Sequence, residues 1–309
     1  ISLAALGVGL GDEVITPDFT FIATVEVIAL LGLKPVLVDV NRDDFNLDIE
    51  SLTRAITRKT RVILPVHLFG QCAGMEAIAA LARDHHLHVI EDNAQAIGAD
   101  YRFGDGTLKK AGTIGTIGCT SFFPSKNLGC YGDGGALFTG SDELADRLAT
   151  LINHGMRVRN YNHMIGDNSR HETLKAAILR VKLKYLDAFI NARQQAAAWY
   201  DNAFKDTDDI IVPRRNAFST HVFHQYTIRL RRSSRDGLRE YLASKGIPAM
   251  IYYPVPLHRQ KAFAYLGLKD TDFPVTEELC QTVLSLPMHT ELDEEQLKYI
   301  TDTVKEFIH

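Results

Sequence analysis

Short apolar, β-branched runs recur through the first half of the chain, at residues 13–16, 35–40, 61–66, 88–91, 117–123 and 136–139. Helix-period patterns fill several of the gaps, at 23–31, 48–56 and 75–84. A strand that apolar is buried on both faces, and a helix between successive strands makes the connection a crossover. The alternation therefore predicts a largely parallel sheet with helices on both sides, an α/β architecture. Ser141, ahead of Asp142 and Glu143, predicts a capped helix start, and one long helical pattern follows over 172–204. Beyond Pro213 the character changes: 224–230 reads as a strand, 235–245 as a helix closed by Gly246, and 292–308 as a terminal helix. The expected division is a large domain over 1–205 and a smaller α+β domain over 206–309. The opening residues, from Ile1, read as the tail of a helix whose beginning is missing.

Composition narrows the function classes. With 309 residues, 46% hydrophobic and 23% charged, the chain has ordinary globular composition and enough length for two domains. A net charge of −4 with no basic stripe argues against nucleic acid, and the cluster at 231–235 reads as a solvated turn. The longest apolar stretch, 25–40, is interrupted by Glu26 and Lys34, so no membrane span is expected. Cys72, Cys119, Cys130 and Cys280 show neither C-x-x-C nor zinc spacing and read as reduced thiols of a cytoplasmic protein. His85, His86 and His88 straddle a helix end and a strand start, where side chains diverge, so no metal site is expected there.

The chemistry concentrates at two strand ends. In an open α/β sheet, ligands bind beyond the carboxyl ends of the strands. Asp92 directly follows the run through Ile90, and Lys126 sits between the run 117–123 and a loop containing Gly129, Gly132, Gly134 and Gly135. A lysine able to form a Schiff base and a carboxylate to hold a pyridine nitrogen protonated are the two groups that pyridoxal 5'-phosphate (PLP) requires of a protein. A helix cap would explain Asp92 alone; coupled to Lys126, the cofactor role is the better reading. Lys126, once released by an amine substrate, becomes the general base that moves the substrate proton. Ser121 is placed to hydrogen-bond the phosphate, Phe21 to stack on the ring, and His67 to line the same crevice, although a core aromatic and a buried structural histidine fit the last two equally. The glycines do not form a G-x-x-x-x-G-K-[ST] loop, which argues against a nucleoside triphosphatase.

Assembled in order, the motifs GDEVITP (11–17), TFIAT (20–24), PVHLFGQ (65–71), EDNAQ (91–95), SFFPSKNL (121–128), GDGG (132–135), GDNSR (166–170), HQY (224–226), YPVPLH (253–258) and SLPM (285–288) resemble the DegT/DnrJ/EryC1/StrS family of sugar aminotransferases. The resemblance spans the chain. It implies the fold-type I PLP-dependent transferase architecture, with Lys126 as Schiff-base lysine, Asp92 on the pyridine nitrogen, Phe21 on the ring, Gln95 near the ring hydroxyl and Ser121 on the phosphate. It implies further that Asn168 reaches the phosphate bound by a second subunit, so that the active sites of a homodimer are shared. Arg170, Tyr252, Tyr253, His258 and His67 would meet the substrates. The implied reaction transfers an amino group from L-glutamate, yielding 2-oxoglutarate, to a keto sugar linked to a nucleotide. The bias is toward a 3-keto, UDP- or dTDP-linked sugar used in surface polysaccharide synthesis. A dehydratase of the same family would carry histidine at position 126. A non-catalytic regulatory protein that retains the fold is the reading from a different class. The Gly-Thr phosphate anchor that such enzymes usually carry ahead of residue 1 is absent from the sequence, and Tyr252 and Asn93 stand where histidine and alanine are commoner.

Overall fold

A computed structural model describes residues 1–308. After a short helix, α1 (Ser2–Leu6), come β1 (Glu13–Pro17), α2 (Ala23–Leu30), β2 (Lys34–Val38), α3 (Ile49–Ala55), β3 (Thr60–Ile63), α4 (Met75–Asp84) and β4 (His88–Asp92). A small hairpin, β5 (Asp100–Arg102) and β6 (Leu108–Lys110), precedes β7 (Ile117–Ser121) and β8 (Gly135–Phe138). The main sheet has the order β2-β1-β3-β4-β7-β8, with every neighbouring pair parallel except β7 and β8.

The two-residue pleat explains why the runs are apolar throughout. Ile15, Ile63 and Val89 face a core built with Leu52 of α3 and Met75, Ile78 and Ala82 of α4. Val14, Val62, Leu64 and Ile90 face the opposite core, with Leu3 of α1 and Ile28 of α2. Burial on both faces keeps the runs mostly apolar, and polar side chains such as Asp92 collect at the carboxyl ends of the parallel strands.

Next come α5 (Asp142–Leu151), whose start is capped by Ser141 accepting from the Leu144 amide, and a second hairpin, β9 (Met156–Val158) and β10 (Tyr161–Asn162). The helical pattern over 172–204 divides. α6 (Thr173–Lys182) and α7 (Leu186–Phe204) are joined by a 3₁₀ turn at Leu183–Tyr185. Leu186 and Ile190 of α7 pack with the sheet, whereas Ala196, Ala197, Tyr200 and Phe204 enter a second core. That core belongs to an antiparallel sheet of β11 (Ile210–Ile211), β12 (Tyr226–Leu230) and β13 (Val283–Leu286), backed by α8 (Arg235–Ser244) and α10 (Glu294–Ile308). α9 (Pro274–Thr282) joins a third cluster, through Leu279 and Cys280 with Phe19 and Val66, beside the strand ends. Cys72, Cys130 and Cys280 are buried and Cys119 half-buried. Burial pushes the Cys72 and Cys280 thiols up to about 12 and Cys119 up to about 11.

Candidate active site

Asp92 closes β4 with its carboxylate at the polar edge. Oδ2 accepts a hydrogen bond from Thr24 Oγ1 at 2.7 Å, and Oδ1 accepts from the Ala94 amide at 3.0 Å. A cavity of about 1040 Å³ opens beside it. Asp92, Thr24 and Ser121 are among the polar residues that line it. Lys126 lies outside that lining, in the turn that follows β7, with its amide bonded to the Phe123 carbonyl at 2.9 Å. Gly129 permits the turn: a Cβ there would meet the Pro124 carbonyl oxygen at 2.4 Å. Burial depresses the Lys126 ammonium below its ordinary value, and Asp92 acts in the opposite sense. A partly desolvated amine with a raised neutral fraction is a stronger nucleophile and base than a surface lysine.

A second set of residues was touched by the sequence only through the motifs that contain Asn127 and His224. Asn127 Nδ2 donates to the Val222 carbonyl at 2.9 Å, and the Val222 amide donates to the Gly70 carbonyl at 2.8 Å. Buried Arg193 Nη1 donates to the carbonyls of Phe223, His224 and Met288 at 3.0, 3.4 and 3.1 Å. The segment from Val222 to His224 is therefore fixed next to the Lys126 turn. His224 is buried, and its Nδ1 has no hydrogen-bond partner. Burial, then the charges of Lys126 and Arg193, hold it well below the ordinary histidine range, so a neutral imidazole accompanies the lysine. The HQY motif marked this position without revealing its role.

Two expectations are corrected. His67 does not line the crevice. It is fully buried, its Nε2 donates to Glu91 at 2.8 Å and its Nδ1 accepts the Ala73 amide at 3.2 Å, so both ring nitrogens are used inside the sheet. His258 is likewise turned inward, its side chain only 1% exposed and its Nδ1 2.6 Å from Asp18. Neither ring is free to meet a substrate.

The remaining expected residues fall into two groups. Gln95 accepts from the Phe69 amide at 2.7 Å and donates to Tyr253 Oη at 3.2 Å. Burial raises the Tyr253 phenol. Phe21 is 56% exposed with its ring centroid 6.5 Å from that of Tyr253, and Tyr252 lies edge-on to Tyr253 at 5.9 Å. These aromatics surround the strand ends together with Asp92. Asn168 and Arg170 are exposed and alternate with Ser169 and His171, which line the cavity. Arg170 Nη1 donates to Asn153 Oδ1 at 2.7 Å.

A largely parallel sheet with an acid at one strand's carboxyl end and a desolvated lysine just after the next strand defines a fold-type I PLP-dependent transferase. The chain belongs to the DegT/DnrJ/EryC1/StrS aminotransferase family, which it matches over residues 1–305. It is 48% identical to a protein named pleiotropic regulatory protein from Geobacillus stearothermophilus, covering 99% of this chain and 81% of that one. It is 45% identical to the UDP-2-acetamido-2-deoxy-3-oxo-D-glucuronate aminotransferase of Pseudomonas aeruginosa, covering 96% and 79%. The crystal structure of S. venezuelae DesV in complex with a ketimine intermediate superposes with a TM-score of 0.94 at 40% identity, covering 100% of this chain and 81% of that one.

Proposed function

We propose that this protein is a PLP-dependent aminotransferase that moves an amino group from L-glutamate to a keto sugar linked to a nucleotide, with a bias toward a 3-keto, UDP- or dTDP-linked sugar. The observation that carries the reading is a desolvated Lys126 amine, in the turn after β7 and near enough to Asp92 at the end of neighbouring β4 to feel its charge, in a chain of an aminotransferase family. The fit to PLP rests on the chemistry of the donor set: the Lys126 amine, the strand-end carboxylate of Asp92 and the Ser121 hydroxyl in the cavity lining, and the exposed ring of Phe21. Gln95 serves the ring hydroxyl, and Asn168 the phosphate of a partner subunit. Arg170, Tyr252 and Tyr253 are proposed to meet the substrates.

When bound, PLP supplies an electron-poor ring that accommodates negative charge on the neighbouring carbon. Asp92, held by Thr24 Oγ1 and the Ala94 amide, keeps a proton on the pyridine nitrogen because an opposite charge favours the charged form. Lys126 Nζ takes and returns the proton at the substrate carbon, and its lowered affinity for protons brings it closer to working pH. His224 stays neutral and adds no competing cation to the site.

A lysine at position 126 disfavours the dehydratase reading. The regulatory reading draws support from the name of the Geobacillus relative. We further propose a homodimer, a cytoplasmic location, a role in surface polysaccharide synthesis and a two-domain division near residue 205. No helix among the described residues is long and apolar enough to cross a membrane.

The test mixes the purified protein with PLP, records the visible spectrum, and adds L-glutamate. Loss of the lysine-bound band on adding glutamate, formation of 2-oxoglutarate and amination of a UDP-linked 3-keto sugar are expected. Lys126→Ala should lower turnover by at least ~10²-fold, the contribution of one positioned acid–base group. A spectrum that glutamate leaves unchanged would favour the regulatory reading.

A further inference from the structure

We propose that His258 is a positioning residue: pinned between Asp18 and the acids of the 270–277 stretch, it sets Tyr253, and through Tyr253 the side chain of Gln95, against the cofactor cleft. The inference rests on the reading of that cleft as a PLP site. Asp18 follows β1 at its carboxyl end and is buried. Its Oδ1 accepts the His258 amide at 2.8 Å, its Oδ2 lies 2.6 Å from His258 Nδ1, and its carbonyl accepts the Leu257 amide at 3.4 Å. Three bonds thus fasten residues 257 and 258 to the strand end. Tyr253 lies on the same connection, separated from that anchor by a stretch in which Pro254 and Pro256 fix φ, so the anchor dictates where its ring stands. Phe19, next to Asp18, meets the Tyr253 ring edge-on at 5.8 Å. Tyr253 Oη then accepts from Gln95 Nε2 at 3.2 Å.

The other side of the His258 ring explains how the anchor holds. Nε2 is 3.2 Å from Asp270 and 3.1 Å from Glu277, so each ring nitrogen faces a carboxylate oxygen. Only the doubly protonated ring donates in both directions. Arg259 hydrogen-bonds to Asp270 at 2.7 Å and forms an ion pair at 2.8 Å with Glu277, whose Oε1 is left without a hydrogen-bond partner, and the His258 ring stacks on Phe273 at 4.5 Å. Asp39 adds negative charge beside Asp18, and the Cys280 thiol also lies near. Burial alone would favour the neutral ring, but Asp18, Asp270 and Glu277 outweigh it and raise the His258 proton affinity. Three facing carboxylates outnumber the one guanidinium of Arg259, so an imidazolium at His258 offsets one more of their negative charges.

The experiment compares the full chain with His258→Gln, Tyr253→Phe and the double variant. Without cofactor, amide exchange over residues 250–258 in His258→Gln should be on the order of tenfold faster or more, the size of one lost charge-assisted hydrogen bond, with the main sheet unchanged. With PLP bound, the pH midpoint of the visible spectrum should shift in His258→Gln and in Tyr253→Phe, and the double variant should shift no further, because residues acting in series are not additive. A lower melting temperature with neither faster exchange nor a moved midpoint would overturn the proposal, as would additive shifts. If His258→Gln does not fold, Glu277→Gln keeps the Asp18 bond and should give the same two effects at smaller size; their absence would overturn the proposal equally. The exchange measurement needs no cofactor, so failure of the PLP reading and failure of the anchor are told apart.

Discussion

Glu91 is the neighbour of Asp92, the proposed cofactor-binding carboxylate, and its surroundings are opposite in character. It is fully buried, accepts amides from Gly112, Ile114 and Gly115 at 2.6–2.8 Å, and accepts His67 Nε2 at 2.8 Å. Burial works to raise its carboxyl, but the His67 bond and the amides outweigh it and hold the group below the ordinary 4.5. A depressed folded value stabilises the native state above the unfolded value, and that stability is lost as pH falls through the folded one. Urea midpoints of the wild type should therefore fall on acidification below about pH 4.5. Glu91→Gln should flatten that acid limb and cost ~1–3 kcal/mol or more at neutral pH by unsettling buried donors. The sequence made Asp92 and Lys126 legible because a polar residue after an apolar run reports a strand end directly. It misplaced His67 and His258 because a histidine at such a position looks the same whether it meets a ligand or a buried acid. The acid that answers His258 lies 240 positions away.

Between residue and domain, the elements carry the site through close backbone approach. Gly70 has φ +110, and a Cβ there would meet the Phe223 and His224 amide nitrogens at 2.9 and 3.0 Å. That approach lets the 222–225 segment hydrogen-bond to residues 69 and 70 and brings His224 beside the lysine turn. Gly70→Ala should destabilise the protein by ~1–3 kcal/mol, the cost of a strained backbone position. Because the displaced segment carries His224, it should also weaken PLP retention after gel filtration, whereas a surface glycine such as Gly106→Ala should leave retention intact. The long strands and helices were readable from period alone. The break at Leu183–Tyr185 was not, because helical periodicity runs through it. The hairpin strand β6 was not either: all of Leu108–Lys110 is exposed and carries no alternation.

At the scale of the whole molecule, large apolar side chains gather outside the cores. Leu10, Tyr131, Tyr161, Ile165 and Leu174 are 88%, 77%, 68%, 96% and 76% exposed. We propose that these side chains belong to a partner-binding surface, a second copy of the chain being the partner that the proposed shared site requires. Sedimentation equilibrium should give twice the 34.5 kDa of one chain. Ile165→Asp should shift the population toward monomer and reduce activity in proportion, and a wild-type mass of a single chain would count against shared sites. The change in pattern past Pro213 prompts the proposed two-domain division, but it gives no sign that α7 supplies side chains to both cores, since one uninterrupted helix has no mark where its neighbours change. The sulfur chemistry of the interior has a practical side. With the Cys72, Cys119 and Cys280 thiols pushed up and Cys130 buried, the native thiols should react slowly with alkylating dyes. A single Tyr265→Cys exchange, at an exposed position outside the proposed partner-binding set, would then give one fast-labelling handle per chain, so a donor–acceptor pair could report the spacing of two protomers without first stripping the protein of its own cysteines.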